Sequence, residues 1–113
     1  MGVNWSVRWT KRASLDHAAI IRWTVIHFGA RQATLYMETL ALAVAALNKG
    51  PELPGCKTRP ELGEGIRTLH IARGGRKGRH FIVYRVADSC HIEILRLLHD
   101  SMELAGHLVP TLR

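Results

Sequence analysis

"RHFIVYRVADSCHIEILRLLH", residues 79–99, decides how this chain folds. Two apolar-rich runs flank the polar pair Asp88-Ser89, and a short polar break between β-prone runs predicts an antiparallel hairpin. Period two places Arg85 with Phe81 and Val83 on one face of the first run, and His91, Glu93 and His99 on one face of the second. A third strand precedes them, "GIRTLHIA" at 65–72, where Arg67 shares a face with Leu69 and Ile71. The intervening "RGGRKGR" is a basic, glycine-rich loop. It lacks the residue order of a phosphate-binding P-loop and opens no helix, so it reads as a solvated hairpin loop or a contact for an acidic partner.

Working outward, residues 3–10, "VNWSVRWT", alternate Val3, Trp5, Val7 and Trp9 with polar neighbours and predict a half-buried first strand. Trp5 and Trp9 fall on one face, which makes them candidates for packing against helices. Thr10 suits a helix N-cap. The helix it opens runs to His27 or Phe28, with Leu15, Ala18, Ala19, Ile21, Ile26 and Phe28 as its apolar face, until Gly29 closes it. A second helix is predicted from Ala30 to Asn48, with Ala33, Met37, Leu40, Val44 and Leu47 on one stripe and Gly50-Pro51 as the stop. The Gly29 connection makes the two helices an antiparallel hairpin. A Pro- and Gly-rich connector, "PELPGCKTRPELGEG", leads to the strands. The order β-α-α-β-β-β implies an α+β fold with the helical hairpin on one face of a small antiparallel sheet.

The 113 residues suffice for one domain, with residues 100–113 as a tail, and at 47% hydrophobic and 22% charged they can bury a core. No apolar run reaches membrane-spanning length, and the start "MGVNWS" reads better as the approach to a strand than as a lipidation or glycosylation signal. A cytoplasmic chain is expected, with Cys56 and Cys90 reduced. The formal charge of +7, from 16 basic and 9 acidic residues, favours an anionic partner. Arg67, Arg73, Arg76, Lys77, Arg79 and Arg85 follow one another with no acid between them. No recognition helix for base reading stands out. Neither His91/Glu93/His99 nor the helical spacing His99/Glu103/His107 matches a catalytic metal motif, so no metal and no cofactor is expected.

Taken in order, "FGARQATLYMETL", a Pro-Gly loop, "ELGEGIRTL", "RHFIVYRV" and "IEILRLLHDSMELAGHL" resemble the RelE/ParE superfamily of type II toxin-antitoxin toxins, closer to its ParE branch. The similarity covers nearly the whole chain. It implies a toxin that inhibits DNA gyrase and so replication, held in a hetero-oligomer by a cognate acidic antitoxin. Relatives on the RelE side instead cut mRNA on the ribosome. A gyrase inhibitor needs no catalytic residue, and the candidate target-binding residues are then Arg67, Arg79, Arg85, His99, Met102, Leu104 and Leu108. Trp23, Tyr36, Arg73, Arg76 and Lys77 are the candidates for antitoxin binding. The alternative, a ribosome-dependent endoribonuclease, would use Arg67 and Arg85 as cations for the phosphate and His99 as proton carrier. Arg67 and Arg85 also have a purely structural use, pairing with Glu61, Glu64 or Glu93.

Overall fold

The structure, a computed structural model, describes residues 4–101. The chain order is β1 (Ser6–Trp9), α1 (Lys11–Phe28), α2 (Ala30–Ala46), a 3-10 turn (Leu47–Lys49), β2 (Cys56–Thr58), a second 3-10 turn (Pro60–Leu62), β3 (Ile66–His70), β4 (His80–Asp88) and β5 (His91–His99). These strands form one sheet in the order β1-β5-β4-β3-β2. The helical hairpin lies on one face, as expected for α+β. The sheet itself is mixed: β1 runs parallel to β5, with Ser6 opposite His91 and Trp9 opposite Ile94. This corrects the wholly antiparallel expectation, because α1 and α2 carry the chain back over the sheet before the hairpin strands are laid down. The three-residue β2, inside the Pro- and Gly-rich connector, adds an antiparallel edge to β3.

Local chemistry sets the boundaries. Thr10 is extended, and its hydroxyl oxygen accepts from the Ala13 amide at 3.2 Å while its hydrogen goes to the Ile94 carbonyl at 2.8 Å. One side chain therefore both caps α1 and fastens it to β5. Gly29 separates the helices with φ 91°, a region that side chains with a Cβ rarely adopt. The tight turn of the β4–β5 hairpin is Ser89-Cys90, one residue later than expected, because Asp88 stays in the strand and its carboxylate accepts from the Cys90 amide at 3.1 Å.

The sheet is packed on both faces. Toward the helices, Leu69, Ile82, Tyr84, Ile92, Ile94 and Leu97 meet Ala13, Leu40, Ala43 and Leu47. On the other face Leu62, Ile66, Val83, Leu95 and Leu98 form a second cluster. The fully buried Tyr84 donates its hydroxyl to the Pro51 carbonyl at 2.8 Å, which pins the connector to the sheet.

The predicted apolar face of α1 is corrected here. The helix turns Ala13 and Thr24 fully inward, with Ile20 and Ile21 packed against the core, whereas Leu15, Ile26 and Phe28 are exposed and so are Ala18 and Ala19. The orientation is set by Asp16, whose carboxylate accepts from Arg96 Nε at 2.7 Å, Arg96 Nη2 at 3.1 Å and the Leu97 amide at 3.0 Å. Trp5 packs against the core as expected, but Trp9 is exposed, so its expected packing does not hold; Trp23 is exposed as well. On α2, Ala33, Leu40 and Leu47 are buried and Val44 packs on the core, while Met37 faces out.

Candidate functional site

The chemistry-bearing side chains converge where β3 ends, β4 begins and β5 ends. Register places His80 opposite His99 and His70 opposite Phe81. A bulge in β5 brings them there: Val83 faces Arg96 and Tyr84 faces Ile94, leaving Leu95 as the extra residue. The bulge inverts the phase of everything after it. His99 therefore does not share the face of His91 and Glu93, as strict alternation predicts, but joins His80 beneath α2, with ring centres 5.2 Å apart.

Tyr36 on α2 closes this cluster from above. Its oxygen accepts the Arg79 amide at 3.0 Å and lies 2.5 Å from His80 Nδ1. An amide N–H can only donate, so the network assigns the Tyr36 proton to the bond with Nδ1, which puts the His80 proton on Nε2. Burial, followed by the nearby His99, lowers the His80 pKa from 6.5 to about 4, so this imidazole is neutral at physiological pH. Burial also raises the Tyr36 pKa, which keeps its proton in place.

On the opposite face Asp100 gathers the end of the sheet. Its carboxylate receives His70 Nε2 at 2.9 Å and Arg79 Nε at 3.0 Å, and its amide donates to the Arg79 carbonyl at 2.8 Å. The His70 bond first and Arg79 second hold its pKa below the ordinary carboxylate value. His99 Nδ1 accepts the Ser101 amide at 3.1 Å.

The histidines give a testable acid response. Between pH 6.5 and about 4 the unfolded chain protonates His80 and the folded chain does not. The unfolded state binds more protons there, so stability falls as pH drops through that window. His17, also lowered by burial, acts in the same direction. A His80→Gln variant keeps an acceptor for Tyr36 but cannot titrate. In thermal melts across this window its Tm is expected to fall less than that of wild type, and equal slopes would refute the assignment.

The candidate residues separate into groups. Arg79 and His99 lie in the cluster. Arg67 is instead held by Glu52 at 3.5 Å, and Arg85 by Glu93 at 3.0 Å. Since Arg85 stands opposite Ile66 and Glu93, several residues along the strands from His80 and His99, the trio Arg67, Arg85 and His99 is not one site. The structural use is seen for Arg85 with Glu93, whereas Arg67 finds Glu52 and not Glu61 or Glu64. Arg76 reaches across to α2, bonding Thr39 Oγ1 at 3.1 Å, Glu38 Oε1 at 3.0 Å and the Leu35 carbonyl at 3.1 Å. Met102, Leu104 and Leu108, with Glu103 and His107, lie outside the described residues.

Sequence reasoning missed His70, His80 and Asp100, and missed that Tyr36 joins them. Their signal was present: polar residues capable of proton exchange stand at three successive strand ends. Among the described residues, no group of three His, Cys, Asp or Glu side chains is placed to hold a metal ion. Among them, also, no helix is long and apolar enough to cross a membrane.

Among the described residues, two apolar surfaces stand near the helices. Trp23, 53% exposed, stacks on His27 with centres 4.1 Å apart and meets Phe28, 63% exposed, edge-on at the tip of the helical hairpin. A groove lined by Val7, Trp9, His17, Met37, Leu40 and Val44 opens beside β1, one of the two edge strands of the sheet.

This arrangement defines a class. A chain of the chromosomal ParDE toxin-antitoxin system of P. aeruginosa superposes with a TM-score of 0.64 at 26% identity, covering 87% of this chain and 98% of that one. A chain of the RelBE2 toxin-antitoxin complex of Mycobacterium tuberculosis gives a TM-score of 0.54 at 25% identity, over 86% of this chain and 99% of that one. The fold is that of the RelE/ParE toxins. Comparison with curated proteins finds no match. The family model for the ParE toxin of the type II toxin-antitoxin system parDE matches residues 7–104, and the chain belongs to that family.

Proposed function

We propose that this type II toxin inhibits DNA gyrase in the cytoplasm and is silenced there by a cognate acidic antitoxin in a hetero-oligomer. The observation that carries the reading is the match of residues 7–104 to ParE toxins, the branch for which the sequence resemblance implies gyrase as target. The antitoxin finds support in the structural neighbours, which come from toxin-antitoxin complexes. It also suits the surface. A partner helix or added strand could fill the groove beside β1, with Trp23 and Phe28 as apolar anchors and the net charge of +7 speeding encounter with an acidic chain.

A second reading, ribosome-dependent cleavage of mRNA, draws on the pairing of His99 with His80 beside Arg79. In that chemistry His99 would move the proton and Arg79 would meet the phosphate. Arg79 is already engaged by Asp100, and His80, with a pKa of about 4, is a weak base at neutral pH. Both features leave the first reading ahead. Purified toxin added to a gyrase supercoiling reaction and, separately, to translating ribosomes decides between them. The expected result is loss of supercoiling, relieved by antitoxin, with intact mRNA. Site-specific mRNA cuts with normal supercoiling would overturn the proposal in favour of the second reading.

A further inference from the structure

We infer that the loop at residues 71–79, between β3 and β4, is a docking site for the phosphate backbone of duplex DNA, contacted through Arg73 and Lys77 without regard to base sequence. The inference is independent of the gyrase reading.

The loop is built rigidly for a segment so rich in glycine. Arg76 is bonded at three points to α2, and the Arg79 amide is held by Tyr36. Gly78 sits so close to the sheet that a Cβ there would stand 2.5 Å from Ile71 Cγ1. Consecutive Gly74 and Gly75 turn the chain with φ 60° and 79°. Two of the four loop cations are thus committed internally, Arg76 to Glu38 and Arg79 to Asp100. Arg73, half-buried near Tyr84, and Lys77, exposed, differ: among the described residues neither has an acid partner or a side-chain hydrogen bond. The amides of Gly74, Gly75 and Lys77 likewise donate to no acceptor among the described residues. A fixed turn therefore presents two uncommitted cations together with unused backbone donors.

Three occupants can be compared by chemistry. A protein interface draws its affinity from large apolar or aromatic anchors; with Ile71 buried in the core, the loop offers only Ala72, three glycines and basic residues. Single-stranded nucleic acid is held largely by stacking bases on exposed rings, and the loop contains no ring. Duplex backbone needs cations and amide donors at fixed positions, and those are present. Because the cations are held on a preformed turn, little ordering cost attends binding.

The test is fluorescence anisotropy of full-length toxin with a short labelled DNA duplex of mixed sequence, in the absence of gyrase, from about 50 to 200 mM salt. An Arg73→Ala/Lys77→Ala variant is expected to bind about tenfold or more weakly at the lower salt, with the slope of log K against log salt reduced by about 2. A Lys11→Ala/Lys49→Ala variant makes the same charge change away from the loop and is expected to keep the wild-type slope. Unchanged thermal melts confirm that both variants fold. The inference is overturned if the loop variant binds like wild type, if the control variant loses as much, or if a single strand of equal length binds more tightly than the duplex. Since no gyrase is present, none of these outcomes bears on the supercoiling result.

Discussion

An Asp16→Ala variant is expected to lose about 3–5 kcal/mol of folding stability in urea titration, a large share of what a domain of this size possesses. Asp16 is the acceptor for two guanidinium nitrogens of Arg96 and for the Leu97 amide, and Arg96 is 7% exposed. Removing the carboxylate takes from a buried cation an acceptor bonded to two of its nitrogens. It also takes the acceptor from a backbone amide on the part of β5 that lies beyond its pairing with β1. The asymmetry of buried ion pairs supplies a second measurement: breaking the pair costs more than replacing it. An Asp16→Leu/Arg96→Met double variant should therefore recover much of the loss, with a coupling energy well outside error in the double-mutant cycle. A single variant within about 1 kcal/mol of wild type would show that the carboxylate is not what fastens α1 to the sheet.

The second large effect concerns recognition. Trp23→Ala and Phe28→Ala should each weaken binding of the cognate antitoxin more than tenfold in calorimetric titration, since exposed, clustered aromatic side chains are the residues that dominate interface energies. Neither change should lower the melting temperature appreciably, because both side chains are more than half exposed. A pair of variants that bind antitoxin like wild type would remove the hairpin tip from the interface and turn attention to the groove beside β1. Loss of affinity accompanied by a lower Tm would instead mark the aromatic pair as a fold element.

Much of this architecture was legible in the residues. Thr10, Gly29 and Gly50-Pro51 mark boundaries for reasons that depend only on neighbouring atoms; the structure keeps the first two, while α2 ends at Ala46, short of the expected Asn48, and Gly50 closes the 3-10 turn that follows it. Features that depend on distant partners were not legible. Alternation in residues 3–10 indicates which side chains point together but not which strand lies alongside, so the parallel union of β1 with β5 went unforeseen. The face of α1 was misread because that helix carries more apolar residues than the sheet can cover. Its rotation follows Asp16, the lone acid of α1, and a pairing 80 residues away. The single extra residue at Leu95 is invisible in a pattern of consecutive apolar side chains, yet it moves His99 to the face of His80. Arg67 and Arg85 lie several residues along the strands from His99, so the expected trio gives way to a cluster around Tyr36, His70, His80 and Asp100.

The parallel pairing of Ser6–Trp9 with His91–Ile94 ties the order of assembly to protein synthesis. The first strand made must wait for the last one, since the 85 positions separating Ser6 from His91 take roughly 4–17 s to translate. Until then the nascent chain has its helical hairpin but an incomplete central sheet. A strand laid down first is thus left as an open edge for most of synthesis, and the groove beside it is completed only when the last strand arrives.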